Sequence, residues 1–280
     1  MSGFHQKPNT YVSELTLKVQ DLKRSIDFYQ SIVGFQVLEE TSTKVRFTAD
    51  GTRAILTIEQ PEDILPKQER TTGLYHFAIL LPSRKELGKF IQHLAQMAFQ
   101  IQGAANHEIS EAIYFADPDG NGIEVYSDTP SSTWRWQNGL IEAENKSLDF
   151  MEVVAEGKGE TWTGLSPETI LGHIHLHVAD MDKTEEFYCR GLGFEVVIRM
   201  ANHALFFSTG NYHHHIGTNI WNGLGAPKPL DNSVGLTHFT IIFPDEETRI
   251  QVAANIQKLG YEVTNFTTTY PSGNKIELGV

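Results

Sequence analysis

The stretch that decides the fold is Leu171-Gly172-His173-Ile174-His175-Leu176-His177-Val178. Histidine alternates with aliphatic residues three times. This is the pattern of a β-strand, because successive side chains of a strand point to opposite faces. The three histidines therefore share one face, and the aliphatic residues share the other. Neutral imidazole is a frequent metal ligand, so the pattern predicts an amphipathic strand whose polar face is suited to a metal site.

The same strand begins a unit that also occurs earlier in the chain. Six residues recur with a constant offset of 159. They are Asp21, Phe28, Tyr29, Gly34, Phe35 and Val37, which recur as Asp180, Phe187, Tyr188, Gly193, Phe194 and Val196. An offset that stays constant without gaps indicates an internal repeat. In each copy an aspartate is placed to cap a helix at its N-terminus and a glycine to end it, and further short strands complete a βαβββ module.

A second pair of modules begins at Gly73 and Gly235. The stretch 73–82 matches 235–244 at an offset of 162, and amphipathic helices are predicted at 84–97 and 246–259. Each module closes with a turn and a strand, but these final segments match at an offset of only 153. About nine residues of the second module are therefore missing from the fourth, between its helix and its last strand.

The repeat predicts an α+β architecture of four βαβββ modules paired into two open β-barrel domains. We expect modules 1 and 2 to form an N-terminal domain at 10–128, and modules 3 and 4 to form a C-terminal, metal-binding domain at 169–280. Residues 129–168 are predicted to be a linker with a short helix near 148–156.

Composition excludes several classes of function. The net charge of −13 disfavours nucleic acid and anionic membranes as partners. A single cysteine, Cys189, allows no intrachain disulfide, which suits a reducing compartment. No segment has the apolar length of a signal peptide or of a membrane span. We therefore expect a soluble, cytoplasmic protein.

The repeat also aligns candidate ligands. The first strands of the four modules carry Glu14, His76, His173 and His238, and the last strands of modules 2 and 4 carry Glu124 and Glu277. With modules paired in chain order, the second domain offers His173, His238 and Glu277. Two histidines and a carboxylate suit non-haem Fe(II). The first domain offers Glu14, His76 and Glu124, a harder set that would suit Mn(II) or Mg(II) better.

The modules resemble the vicinal oxygen chelate superfamily, which includes glyoxalases, bleomycin-resistance proteins and extradiol ring-cleaving dioxygenases. The motifs Asp-Pro-Asp-Gly-Asn-Gly-Ile-Glu-Val-Tyr at 117–126 and Gly-His-Ile-His-Leu-His-Val at 172–178 look most like those of two-domain bacterial catechol 2,3-dioxygenases. The resemblance implies cleavage of a catechol-type aromatic by Fe(II) and O2, with Mn(II) or another divalent metal as the alternative. It also implies that His173, His238 and Glu277 hold the metal in the second barrel.

The resemblance further implies acid–base residues beside the metal. One is a histidine on the last strand of module 3, for which we predict His215 first and His214 second. Another is a tyrosine ten residues before the glutamate ligand, with a histidine in the preceding loop. Module 4 has Thr267 at the tyrosine position, whereas module 2 has Tyr114 and His107. A first-barrel site at Glu14, His76 and Glu124 therefore stays open.

Two other functions are consistent with the sequence. One is a metal-dependent isomerase or lyase of the glyoxalase type, with Glu124 as its base. The other is a non-catalytic resistance protein that binds an aromatic compound. The expected partners are a small aromatic substrate and O2, and a homo-oligomer is left open.

Overall fold

All four βαβββ modules are present in the computed structural model, which describes residues 3–280. Module 1 comprises β1 (Tyr11–Lys18), α1 (Leu22–Phe28), β2 (Gln36–Glu40), β3 (Lys44–Thr48) and β4 (Ala54–Glu59). Module 2 comprises β5 (Gly73–Leu80), α2 (Arg84–Gln96), β6 (Gly103–Asn106), β7 (Ser110–Ala116) and β8 (Gly122–Asp128).

A linker separates these modules from the second half of the chain. Its elements are β9 (Trp136–Gln137), β10 (Leu140–Ile141) and α3 (Phe150–Glu156), the helix predicted near 148–156. Module 3 comprises β11 (Ile170–His177), α4 (Met181–Glu185), β12 (Glu195–Met200), β13 (Ala204–Ser208) and β14 (Ile216–Asn219). Module 4 comprises β15 (Gly235–Ile242), α5 (Glu246–Lys258), β16 (Val263–Thr264), β17 (Thr267–Thr269) and β18 (Lys275–Gly279).

The repeated aspartates and glycines act as the sequence predicts. The Asp21 carboxylate accepts a hydrogen bond from the Arg24 backbone N–H, and the Asp180 carboxylate accepts one from the Lys183 backbone N–H. Gly34 ends the first helical segment at φ +90°, a conformation that favours glycine. The modules are therefore delimited by the same local interactions in both halves of the chain.

The modules pair differently from the prediction. One eight-stranded sheet of the described chain has the order β16-β17-β18-β15-β1-β4-β3-β2, which joins module 1 to module 4. The other has the order β12-β13-β14-β11-β5-β8-β7-β6, which joins module 2 to module 3. The predicted pairing of modules 1 with 2 and 3 with 4 is therefore wrong. The division of the chain into an N-terminal domain at 10–128 and a C-terminal domain at 169–280 stays a prediction.

The observed pairing of modules is explained by the first strand of each module. In each sheet the first strands of two modules are antiparallel neighbours, β1 with β15 and β5 with β11. The free edge of any first strand offers the same row of backbone donors and acceptors. The edge of β11 can therefore be satisfied by β5 as well as by β15, and a module's own sequence does not select between them.

The core lies on the aliphatic face of the central strands. Ile174 and Leu176 of β11 are fully buried in the same hydrophobic cluster as Leu15 and Leu17 of β1, so both sheets share one core. This confirms the two-faced prediction for the stretch at 171–178. Within residues 3–280, none of the helices combines the length and the apolar character that a membrane span requires.

Gly172 is required where β11 passes a buried tyrosine. A Cβ at this position would lie 1.9 Å from Tyr126 Oη and 2.9 Å from Leu80 Cβ. Tyr126 is buried, and its hydroxyl shares a hydrogen bond of 2.8 Å with the Tyr212 hydroxyl.

We expect Gly172→Ala to lower the free energy of unfolding by about 1–3 kcal/mol, the usual result of overpacking, as measured by urea denaturation. Adding Tyr126→Phe removes the nearest atom and should recover part of the loss; no recovery would contradict this account.

Candidate metal centre

Three of the predicted ligands converge on the sheet that joins modules 2 and 3. They are His76 on β5, Glu124 on β8 and His173 on β11, and their ligand atoms all lie within 4.8 Å of one another. His76 Nε2 is 3.0 Å from Glu124 Oε2, and His173 Nε2 is 3.1 Å from the same oxygen. All three residues are buried. We call them the metal cluster.

Strand register explains why these side chains meet. His173 on β11 lies beside Ala78 on β5, and Ala78 lies beside Glu124 on β8. The small alanine leaves room for the larger side chains on either side of it to approach each other. In the next row His76 lies between His175 and Gly122. Three neighbouring strands thus hold the cluster rigidly.

The protonation states suit metal binding. Burial alone would raise the pKa of the Glu124 carboxyl, but the adjacent imidazoles of His173 and His76 hold this pKa well below its usual value. Burial lowers the pKa of His173, so this imidazole is neutral at neutral pH. An ionised carboxylate and neutral imidazoles are the forms that bind metal ions.

The cluster also fits a divalent cation sterically. Ligand atoms at about 2.1 Å from one metal and at right angles to each other are about 3 Å apart, which is the spacing found between Glu124 and each imidazole. His76 Nε2 is buried and contacts Glu124 Oε2 without the geometry of a hydrogen bond, and no other atom within residues 3–280 hydrogen-bonds to it. Buried polar atoms normally have a partner. His76, Glu124 and His173 would therefore hold the metal.

Two hydrogen-bonding groups flank the cluster. Tyr114 lies directly beside Glu124 on β7, and its hydroxyl shares a hydrogen bond of 2.8 Å with His107 Nε2. Burial and the Glu124 charge raise the pKa of Tyr114 well above its usual value, so it keeps its proton. On the other side the His214 ring lies 4.1 Å from the His173 ring, centroid to centroid.

The predicted set of His173, His238 and Glu277 is corrected by this structure. His173 belongs to the metal cluster, but His238 and Glu277 lie on β15 and β18 of the other sheet. There His238 Nε2 is 3.5 Å from Glu277 Oε1 and shares a 3.3 Å hydrogen bond with Thr16 Oγ1. The Glu277 side chain is 49% exposed, compared with 4% for Glu124. The reason is the pairing of module 4 with module 1, which also takes Glu14 away from His76.

The predicted catalytic histidines also separate. His214 faces the metal cluster, but the neighbouring His215 points towards the N-terminal segment. His215 Nδ1 is 3.2 Å from Ser208 Oγ, and its Nε2 is 3.3 Å from the Phe4 carbonyl oxygen. Of the two predicted residues, His214 is the one that contacts the metal cluster, and a catalytic role for either stays a prediction. Side-chain alternation alone did not reveal this, because 213–215 precede β14 rather than lie within it.

One signal in the sequence pointed to the observed site. The predicted acid–base residues His107 and Tyr114 belong to module 2, and module 4 has a shortened hairpin and Thr267 in place of the tyrosine. The predicted ligands His76 and Glu124 and the predicted acid–base residues His107 and Tyr114 thus come from the same module. When module 3 pairs with module 2, His173 is joined by two further ligands and by the tyrosine that module 4 lacks.

Comparisons with known proteins agree with the architecture. The family model described as the Glyoxalase/Bleomycin resistance protein/Dioxygenase superfamily matches residues 11–125 and 170–277. The chain is 42% identical over 266 residues to a catechol-2,3-dioxygenase of Bacillus subtilis (strain 168), a match that covers 94% of this chain and 92% of that protein.

Solved structures support the fold alone. Glyoxalase I from Zea mays superimposes with a TM-score of 0.60 at 15% identity, over 96% of this chain and 92% of that chain. The cppA protein from Streptococcus pneumoniae TIGR4 superimposes with a TM-score of 0.57 at 13% identity, over 97% of this chain and 99% of that one. With a family model that matches most of its length, the chain belongs to the Glyoxalase/Bleomycin resistance protein/Dioxygenase superfamily.

Proposed function

We propose that this protein is an extradiol ring-cleaving dioxygenase that acts on a catechol-type aromatic with Fe(II) and O2. The observation that carries the proposal is the buried set of two histidines and one carboxylate at His76, Glu124 and His173. This ligand composition is typical of non-haem Fe(II) sites with open coordination positions. The similarity to a catechol-2,3-dioxygenase over nearly the whole chain supports the same reaction class.

The protein would supply ligands, orientation and proton transfer. The chemistry that Fe(II) supplies when bound is chelation of the two catechol oxygens and activation of O2. The burial of the cluster restricts access of water to the reacting groups. Tyr114 keeps its proton, and with His107 Nε2–H as the donor in their shared hydrogen bond, the Tyr114 hydroxyl can itself donate to a substrate oxygen or to O2.

His214 is the residue that we assign to accept the catechol proton. His213 Nε2–H donates to Asp128 Oδ1 at 2.9 Å, so in neutral His213 the Nδ1 atom is an acceptor. His214 Nδ1–H then donates to His213 Nδ1 at 2.8 Å, which leaves the His214 Nε2 lone pair as the proton acceptor. Burial and the neighbouring imidazoles lower the pKa of His214 well below its usual value, so the ring is neutral.

Anaerobic reconstitution with Fe(II) tests this function. After catechol and air are added, we expect uptake of one O2 per catechol together with a yellow ring-opened product, measured by an oxygen electrode and by absorbance. Metal-free and Zn(II)-loaded protein are the controls and should show neither. If the Fe(II)-loaded protein consumes no O2 with catechol or with its alkyl- and carboxy-substituted forms, the dioxygenase proposal is rejected.

A further inference from the structure

Two large aromatic side chains beside the metal cluster have no part in the mechanism above. Tyr75 is 39% exposed and Trp221 is 51% exposed. Their rings are in edge contact, with centroids 5.2 Å apart and planes at 88°. Both rings also contact the His175 ring, at 5.1 Å from Tyr75 and 5.6 Å from Trp221. Two exposed aromatic rings held together at the edge of a buried polar cluster indicate a binding surface.

A β-bulge places the Tyr75 ring beside the His76 ring. In the pairing of β5 with β11, His76 lies opposite His175 and Leu74 lies opposite Leu176, so Tyr75 is an extra residue in β5. A bulge of this kind turns a side chain from its expected face and is frequent next to active sites. Tyr75 and His76 consequently project together, with ring centroids 4.9 Å apart. His76 is buried and Tyr75 is exposed, so the contact between their rings connects the metal cluster to the protein surface.

The equivalent position in the other sheet shows that the bulge does not require an aromatic residue. There His238 lies opposite Thr16 and Leu236 lies opposite Leu17, so Thr237 is the extra residue. Its hydroxyl donates a hydrogen bond to Glu59 Oε1 at 2.9 Å. The same backbone feature thus carries threonine in one sheet and tyrosine beside the metal cluster, which points to a ligand as the reason for the ring.

Trp221 is positioned by a buried asparagine. Asn219 ends β14 and is fully buried. Its Oδ1 accepts a hydrogen bond from the Trp221 backbone N–H at 3.0 Å and lies 2.8 Å from His177 Nδ1. Its Nδ2 donates to His175 Nε2 at 3.0 Å. Asn219 therefore fixes the backbone of Trp221 relative to the His175 and His177 imidazoles of β11, although the indole itself stays exposed.

We infer that Tyr75 and Trp221 form an aromatic clamp, a joint surface against which the ring of the substrate packs beside the metal cluster. Aromatic rings bind other aromatic rings through stacked and edge-to-face contacts. The clamp makes the site selective for planar aromatic ortho-diols over aliphatic compounds that chelate through two oxygens. This inference rests on the proposed function, because it takes the ligand of the cluster to be an aromatic diol.

Binding to the Zn(II)-loaded protein tests the clamp without turnover. The probes are 4-nitrocatechol and acetohydroxamate, both of which chelate through two oxygens, while acetohydroxamate has no ring; calorimetry gives each affinity. We expect Tyr75→Thr, which copies the other sheet, and Trp221→Ala each to weaken nitrocatechol binding about 3- to 10-fold. Acetohydroxamate affinity should stay unchanged. Tyr75→Phe and Trp221→Phe should keep the nitrocatechol affinity, as should Trp136→Ala, a substitution at an exposed tryptophan of the linker.

Three results would overturn the clamp. The first is an unchanged nitrocatechol affinity in both variants, and the second is an equal loss for both probes, which would place the effect on the metal. The third is binding of neither probe by the wild-type protein. Oxygen uptake decides the proposed function separately. If the variants lose affinity for nitrocatechol alone and the wild-type protein takes up no O2, the clamp is supported and the dioxygenase proposal is rejected. If the wild-type protein takes up O2 and the variants keep their nitrocatechol affinity, the dioxygenase proposal is supported and the clamp is rejected.

Discussion

His76→Ala is expected to lower the affinity for a divalent cation about 100-fold or more, whereas His238→Ala should leave it unchanged. Loss of groups that merely orient metal ligands already costs 10- to 100-fold in affinity, and His76 is itself one of the three convergent residues. Its Nε2 atom lies 3.0 Å from Glu124. Metal content after anaerobic loading with Fe(II), and calorimetric titration with Zn(II), measure the difference.

The two substitutions are matched by the internal repeat. His76 and His238 occupy the same place in the first strands of modules 2 and 4, so each variant loses the same atoms from an equivalent strand. Glu124→Gln and Glu277→Gln repeat the comparison on β8 and β18. Thermal unfolding of the metal-free variants shows whether either one fails to fold. Loss of metal on changing His238 and Glu277, with His76 and Glu124 dispensable, would return the site to the other sheet.

The modules themselves could be predicted from the sequence because their signals are local. The aspartate caps and the terminal glycines act within a few residues of their own position. The predicted helices at 84–97 and 246–259 are found as Arg84–Gln96 and Glu246–Lys258. The alternation at 171–178 likewise reports which face of one strand meets the core.

The pairing of modules could not be predicted in this way, because it depends on contacts between distant strands. Each module's first strand presents a free edge and an apolar face. The partners of these strands can therefore be predicted only from the order of the modules along the chain. The structure pairs them as β1 with β15 and β5 with β11. His173 is therefore predictable as a strand-face residue, whereas its partners lie in module 2 and chain order predicts them in module 4. The position of Tyr114 and His107 in module 2 was the stronger guide.

The second large effect is expected at His214. His214→Ala should lower kcat for catechol cleavage by about 10²- to 10⁴-fold, the range typical of a lost acid–base group. Its ring contacts the His173 ring at 4.1 Å between centroids, and its Nδ1 is hydrogen-bonded to His213, so Nε2 is the nitrogen left to accept a proton. Metal content and KM should change little, because His214 is not one of the convergent ligands. Steady-state oxygen uptake with the Fe(II)-loaded variant measures kcat and KM.

His215 provides the matched control for this prediction, since it adjoins His214 and is also buried among imidazoles. Its nitrogen atoms contact Ser208 and the Phe4 carbonyl, away from the cluster. His215→Asn should therefore reduce stability while kcat stays within a few-fold of wild type. His214→Gln keeps a hydrogen-bonding side chain but cannot take up a proton at neutral pH. An equal fall in kcat for His214→Gln and His214→Ala indicates proton transfer, whereas normal activity of His214→Gln would reduce His214 to a positioning role.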